Sequence, residues 1–205
     1  MKRIVIFMFL ILLLVACNDN GSEVSDTYEK NNQETQESGY KILTKVGDKI
    51  NNPHPGVGSA ELVGIKEINE TIDLDPIRLT IINIKFIHME DVNNAAELFW
   101  NEKLANKTSF DYVQILYEIE NTQEINVSLN YPITAIVLDT GEQIDSFESD
   151  IALDPNFGKT MYGKSKNQSH VALIMESNPE KVSEIKVVTG EIYHADTYDT
   201  LAKEQ

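Results

Sequence analysis

Phe110-Asp111-Tyr112-Val113-Gln114-Ile115-Leu116-Tyr117-Glu118-Ile119-Glu120 alternates between apolar and polar positions. Val113, Ile115, Tyr117 and Ile119 fall on one face, and Gln114, Glu118 and Glu120 fall on the other. A period of two with one apolar face is the mark of a half-buried strand in an antiparallel sheet. Asn121-Thr122 supplies the turn that ends it.

The flanking sequence reads the same way. Upstream, Val57 to Ile68 and Thr71 to Leu74 are strand-like, and Asp75-Pro76 breaks the run. Ile77 to Met89 begins with Ile77, Leu79 and Ile81 on one face. It then changes phase, so that Ile82, Ile84 and Phe86 fall on the other, and the slip near Asn83 predicts a β-bulge or a strand that changes sheets. Downstream, Val127 to Leu129 and Ile133 to Leu138 are short strands, and Asp139-Thr140-Gly141-Glu142 is a hairpin connection to Gln143–Phe147. Val171, Leu173 and Met175 oppose His170, Ala172 and Ile174, and Pro179 introduces a last strand from Val182 to Tyr193. The polar tail from residue 195 to 205 is expected to fray.

One segment departs from this rhythm. Between Val92 and Ala105, Asn94 with Glu97 resembles a capping box, and Ala95, Leu98, Phe99 and Ala105 recur at helical spacing. This predicts a short helical insert carrying Phe99 and Trp100, the single tryptophan. Such a pair either packs on the sheet and covers an edge strand or serves as an exposed partner contact. About eight short strands, one helix and no βαβ alternation give an all-β antiparallel sandwich over residues 57–194. Two prolines and a glycine in Asn51-Asn52-Pro53-His54-Pro55-Gly56 make residues 40–56 a loosely ordered lead-in.

The N-terminus carries a different message. Lys2 and Arg3 precede an unbroken apolar run from Ile4 to Val15. A run of about a dozen residues suits the hydrophobic region of a signal peptide and falls short of the ~20 needed to span a bilayer. Leu14-Val15-Ala16-Cys17 resembles a lipobox. That resemblance implies that residues 1–16 are a lipoprotein signal peptide, with Leu14, Val15 and Ala16 read by the signal peptidase. It also implies that Cys17 carries the lipid and holds the chain on the extracellular face of a cell membrane. Two acyl chains anchor stably where one does not. The following segment to residue 39 has only Val24 and Tyr28 interrupting its polar residues, so it is expected to be a disordered, lipid-anchored linker.

The order of strands brings a second resemblance. The Ile77–Met89 strand, then Ile119-Glu120-Asn121-Thr122 closing the next one, then Ile136-Val137-Leu138-Asp139-Thr140-Gly141-Glu142, is similar to the telokin-like, immunoglobulin-like domain of Gram-positive bacterial lipoproteins. The resemblance implies an immunoglobulin-like β-sandwich and an envelope address. It implies no reaction, because that family has no agreed activity.

Chemistry is bounded by what the residues can supply. With the signal removed, 15 basic residues face 33 acidic ones, and Arg78 is the only arginine left. Nucleic-acid binding requires a basic patch, so it is argued against. Cys17 is the sole cysteine, which leaves none for a disulfide, for zinc or for a nucleophile once it is acylated. His54, His88, His170 and His194 are scattered and form no metal motif, and no phosphate-binding glycine loop occurs. Asp73 with Asp75, and Asp145 through Glu148 to Asp150, lie at strand ends where calcium ligands can converge. A pair of carboxylates at hydrolase spacing is the remaining enzymatic option. The reading that follows is a non-enzymatic binding or adaptor module with no cofactor and with an envelope protein as partner. A solute- or calcium-binding lipoprotein serving a transporter or sensor is the alternative.

Overall fold

The structure is a computed structural model that describes residues 42–202. The chain divides into two units at Gly39/Tyr40, and every described residue belongs to the second. The apolar run, Leu14, Val15, Ala16, Cys17 and the polar linker lie outside the described residues.

The chain forms an all-β sandwich of antiparallel sheets. Its principal sheet has five strands: β1 (Lys49–Asn51), β2 (Val57–Leu74), β3 (Ile77–Val92), β4 (Phe110–Asn121) and β9 (Lys166–Met175), in the order β1-β2-β3-β4-β9. Two smaller sheets face it. One is β10-β6-β7, made of β6 (Ile133–Leu138), β7 (Gln143–Asp145) and β10 (Ile185–Thr189). The other is β12-β11-β5-β8, made of β5 (Val127–Leu129), β8 (Thr160–Met161), β11 (Ile192–His194) and β12 (Thr200–Ala202). Between them, Leu79, Val113, Ile115, Ile119 and Leu173 pack on Val127, Ile133, Ile136, Leu138 and Ile192. Each such buried aliphatic side chain is worth about 1.5–3 kcal/mol.

The bulge expected near Asn83 is present, since the register of β3 against β4 shifts between Ile81 and Asn83. Its effect is the reverse of a change of face. The extra residue restores parity, so Ile84 and Phe86 join Ile77, Leu79 and Ile81 on the inner face. Ile87 and Met89 then point outward, with Leu62 and Ala60 of β2. There a second, smaller core is closed by Leu43 of the lead-in and by Ala95 and Leu104 of the insert.

Several boundaries differ from the sequence reading. The lead-in is ordered through β1, which pairs Lys49 with Glu61 and Asn51 with Ser59. The strand expected from Val182 to Tyr193 is two strands, because it crosses at Gly190 from β6 in one sheet to β5 in the other. The tail is not frayed at residues 200–202: a turn in which the His194 N–H donates to Asp199 folds β12 back onto β11. Ala172 and Ile174, expected opposite the core, are buried because the Ile151 N–H donates to the Ala172 carbonyl and brings that loop over the outer face. Among the described residues, no helix is long and apolar enough to cross a membrane.

Candidate functional site

The insert holds α1 (Ala95–Leu98) and a 3-10 turn, Glu102–Leu104. The expected capping box does not form. Asn94 takes a left-handed backbone (φ 51°) and its side chain caps nothing. The helix is set by its other end, where the Asn101 N–H reaches the Ala96 carbonyl at 2.9 Å and Trp100 adopts φ 55°. That is the helix-ending turn in which glycine normally takes the left-handed position.

The two aromatic residues of the insert part ways here. Phe99 turns inward against the outer core and meets Phe110 edge to face, with ring centroids 5.5 Å apart. Trp100 stands out, 88% exposed. The insert is pinned to α2 (Ser146–Ser149), a helix where the sequence predicts the end of the Gln143–Phe147 strand. Asn101 Nδ2 donates to the Glu148 carbonyl at 2.9 Å, and Lys103 Nζ reaches Ser149 Oγ at 3.0 Å and Glu148 Oε2 at 3.2 Å. Asp145 caps α2 by accepting from the Phe147 N–H. Phe147 is thereby presented beside the insert, 76% exposed. The adjoining segments thus show two large aromatic side chains to solvent on a fixed frame.

A second feature lies on the inner face, at the side of the sandwich. A cleft of about 310 Å³ separates β2 and β3 from the 3-10 turn Pro179–Lys181 and β10. Ile68, Ile84, Phe86, Val182 and Ile185 line it, with Lys66 at its lip. Past Phe86 it adjoins a polar hollow of about 360 Å³ lined by His88, Asp111, Glu176 and Glu180.

That hollow sits on a ladder across the sheet, in which Lys49 faces Glu61, Glu61 faces His88 and His88 faces Asp111. His88 Nδ1 lies 2.8 Å from Asp111 Oδ1, and its Nε2 lies 3.8 Å from Glu90 Oε1. Lys49 Nζ donates to Glu90 Oε2 at 3.0 Å, which holds the Glu90 carboxyl below and the Lys49 ammonium above their usual ranges. The pairing of His88 with Asp111 orients the imidazole, but among the described residues no hydroxyl bonds to its Nε2.

The aspartates singled out for calcium are engaged with the protein itself. Asp73 pairs with Arg78, and Asp75 accepts from Gln123. Asp145 caps α2, and Asp150 accepts from the N–H groups of Ala152, Asp154 and Ala172. Among the described residues, no group of three or more histidine, cysteine or acidic side chains is arranged to hold a metal ion. Among the described residues, the His54 and His194 rings bond to nearby backbone, at Pro55 and Asp196.

Phe147 and the cleft were missed in the sequence. The available signal for the cleft was the alternation Lys66, Ile68, Glu70, Ile72, in which charge interrupts an apolar face as it does on edge strands.

No family model matches the chain. Its sequence is similar to the uncharacterized protein YdhF of Bacillus subtilis (strain 168), with 25% identity over 234 aligned residues covering 97% of this chain and 93% of that protein. Among solved structures, it is similar to a functionally unknown protein from Listeria monocytogenes EGD-e at a TM-score of 0.47 and 8% identity, over 63% of this chain and 73% of that one.

Proposed function

We propose that this protein is a non-enzymatic lipoprotein, held by lipid on Cys17 at the extracellular face of a Gram-positive cell membrane. It serves there as a binding or adaptor module for an envelope protein. The observation that carries the binding role is Trp100. A left-handed backbone costs a bulky residue roughly 1–2 kcal/mol, and a side chain that is 88% exposed recovers almost nothing from burial. Strain of this kind clusters at ligand contacts and switch regions, which motivates a functional reading of an exposed tryptophan. Tryptophan is enriched at binding hot spots, and Phe147 is a second exposed aromatic on the segment that Asn101 and Lys103 hold. Support for the address comes from Leu14-Val15-Ala16-Cys17 and from the similarity to a Bacillus protein over 97% of the chain.

The test is crosslinking on intact cells that carry the tagged full-length chain, followed by capture of what is attached. The expected result is one partner recovered with the wild type and lost with Trp100→Ala/Phe147→Ala, while the double variant stays in the membrane fraction. Equal recovery by the double variant would remove this surface from the proposal. A Cys17→Ala chain that resists an alkaline wash of the membranes would remove the anchor.

A further inference from the structure

The sandwich is open along one side. β2 is 18 residues long, yet β1 covers only Ser59 to Glu61 on its far edge. Beyond Leu62, which exchanges hydrogen bonds with Gly47 and Asp48, the edge from Val63 to Leu74 pairs with no strand among the described residues. On the facing sheet β10 pairs with β6, and among the described residues no strand is added on its other side along Ile185–Val188. The two edges flank the apolar cleft lined by Ile68, Ile84, Phe86, Val182 and Ile185. An unpaired edge offers backbone donors and acceptors, and a cleft beside it offers a place for alternate side chains of an added strand.

The charges around the seam say what such a strand should carry. His88 lies two residues beyond Phe86 on the same face of β3, about 6.7 Å along the strand. At that end Asp111 is held by His88 at 2.8 Å and Glu176 by Lys107 at 2.6 Å, so Glu180 is the acid turned to the hollow with no ion pair among the described residues. At the other end Lys66, opposite Ile84, faces the cleft. Basic side chains are thus favoured near His88 and disfavoured near Lys66. An inward-pointing lysine also guards the edge against indiscriminate pairing with apolar strands.

We propose that the seam between β2 and β10 is a strand-addition site for an extended peptide segment with an apolar side chain two positions from a lysine or arginine. The backbone of that segment pairs with β2 between Gly64 and Glu67, the regular stretch between its two bulges. Its apolar side chain enters the cleft over Phe86, and its basic side chain meets Glu180 across the hollow. This surface is separate from Trp100, which lies on the insert over the outer face. The two readings can therefore fail independently.

The test uses the full-length chain in detergent and fluorescence anisotropy with the labelled, capped peptide Lys-Thr-Val-Thr-Val-Thr-Val. Saturable binding is expected. It should weaken about tenfold or more when the lysine is replaced by glutamate, and it should vanish when every second amide is N-methylated. Glu180→Lys should invert the preference in favour of the glutamate peptide, a result that misfolding could not produce. Val182→Asp should lose both peptides.

Equal binding of the lysine and glutamate peptides would overturn the proposal, as would undiminished binding of the N-methylated one or no binding of any. So would full competition by phenethylammonium, which would assign the seam to small organic cations. Sedimentation as a dimer that Val182→Asp converts to monomer would give the seam to a second copy of the chain and overturn it equally.

Discussion

Tyr117 and Asp154 meet inside the sandwich, the phenol donating to Asp154 Oδ2 at 2.6 Å. Both residues are buried, on β4 and on the loop that follows α2. Asn156 Nδ2 donates to the phenol oxygen at 3.1 Å, while Ser169 Oγ and the Asn156 N–H donate to Asp154 Oδ1 at 3.1 and 2.9 Å. The Asp154 N–H in turn reaches Asp150 Oδ2 at 2.9 Å. The network therefore fastens the loop from Asp150 to Asn156 to the inner face of the principal sheet. A buried network with all partners present rigidifies a fold, and losing one member exposes the rest to an unpaid desolvation cost.

Tyr117→Phe removes the donor to Asp154 and the acceptor for Asn156 with almost no change in volume. The expected loss is about 1–3 kcal/mol, the cost of leaving a buried polar group unpaired. In a domain of this size each kcal/mol lowers the melting temperature by roughly 2–4 °C. Ser169→Ala takes one of several donors from the same carboxylate and should cost less, about 1 kcal/mol. Urea titrations of both variants check the order, and a smaller loss for Tyr117→Phe than for Ser169→Ala would contradict it.

Alkaline pH should destabilise the fold through two phenols, the buried one of Tyr117 and the half-buried one of Tyr112. Burial, reinforced by the hydrogen bond to Asp154, raises the Tyr117 pKa well above the usual 10.0, and burial alone pushes Tyr112 up to about 12. A raised folded-state pKa means that the unfolded chain releases its proton first. The stability these phenols carry is therefore fully present below pH 10.0 and is lost as pH rises towards the folded values. Each phenol steepens the loss by at most about 1.4 kcal/mol per pH unit. Between about pH 10 and 12, Tyr112→Phe should flatten the decline seen in urea titrations of the wild type. An unchanged slope would show that Tyr112 ionises as readily in the fold as out of it.

Periodicity made β4 legible. Val113, Ile115, Tyr117 and Ile119 face the core as their alternation implies, because one-sided burial acts on each strand locally. The phase slip in β3 was visible too, but whether it reverses the face or restores it depends on how β4 pairs with it, which is not local. The same limit hid the seam, since nothing in the order of strands says that β1 would stop at Asn51 and leave β2 bare. At the insert, Asn94 and Glu97 have the capping spacing, yet tertiary packing of Leu104 and Phe99 sets the backbone and overrides the cap. That Phe99 goes in while Trp100 comes out follows from the left-handed backbone at Trp100, a conformation that the identity of a tryptophan does not announce.

That turn separates the two aromatic residues energetically. Phe99→Ala removes a ring packed on Phe110 and should cost about 2 kcal/mol. Trp100→Ala should be nearly neutral. Trp100→Gly should raise stability by roughly 0.5–1 kcal/mol, because glycine takes a positive φ without strain. Partner capture should fail with both Trp100 variants regardless of melting temperature. Stability that falls with Trp100→Gly would mean that the indole is held by the fold and is no free contact.

Gly190 marks where the chain passes from the β10 sheet to the β11 sheet, and its demand is one of space. A Cβ there would sit 2.1 Å from the Tyr131 carbonyl oxygen and 3.2 Å from Thr134 Cγ2. The obstructing atom is backbone, held next to Pro132, whose carbonyl accepts the Gly190 N–H at 3.3 Å. The clash cannot be relieved by rotating a side chain, so Gly190→Ala should cost about 3 kcal/mol or more, the upper end of overpacking. Gly141 makes the comparison clean, because it has φ 91° in the β6–β7 turn and nothing within 4 Å of its Cβ position. Gly141→Ala carries backbone strain alone, about 1–2 kcal/mol. Urea titration of the two variants, with hydrogen exchange at the β11 amides, should show the larger loss and the loosened strand only for Gly190→Ala. Equal losses, with β11 equally protected, would mean that the crossover is wider than the close approach to Tyr131 requires.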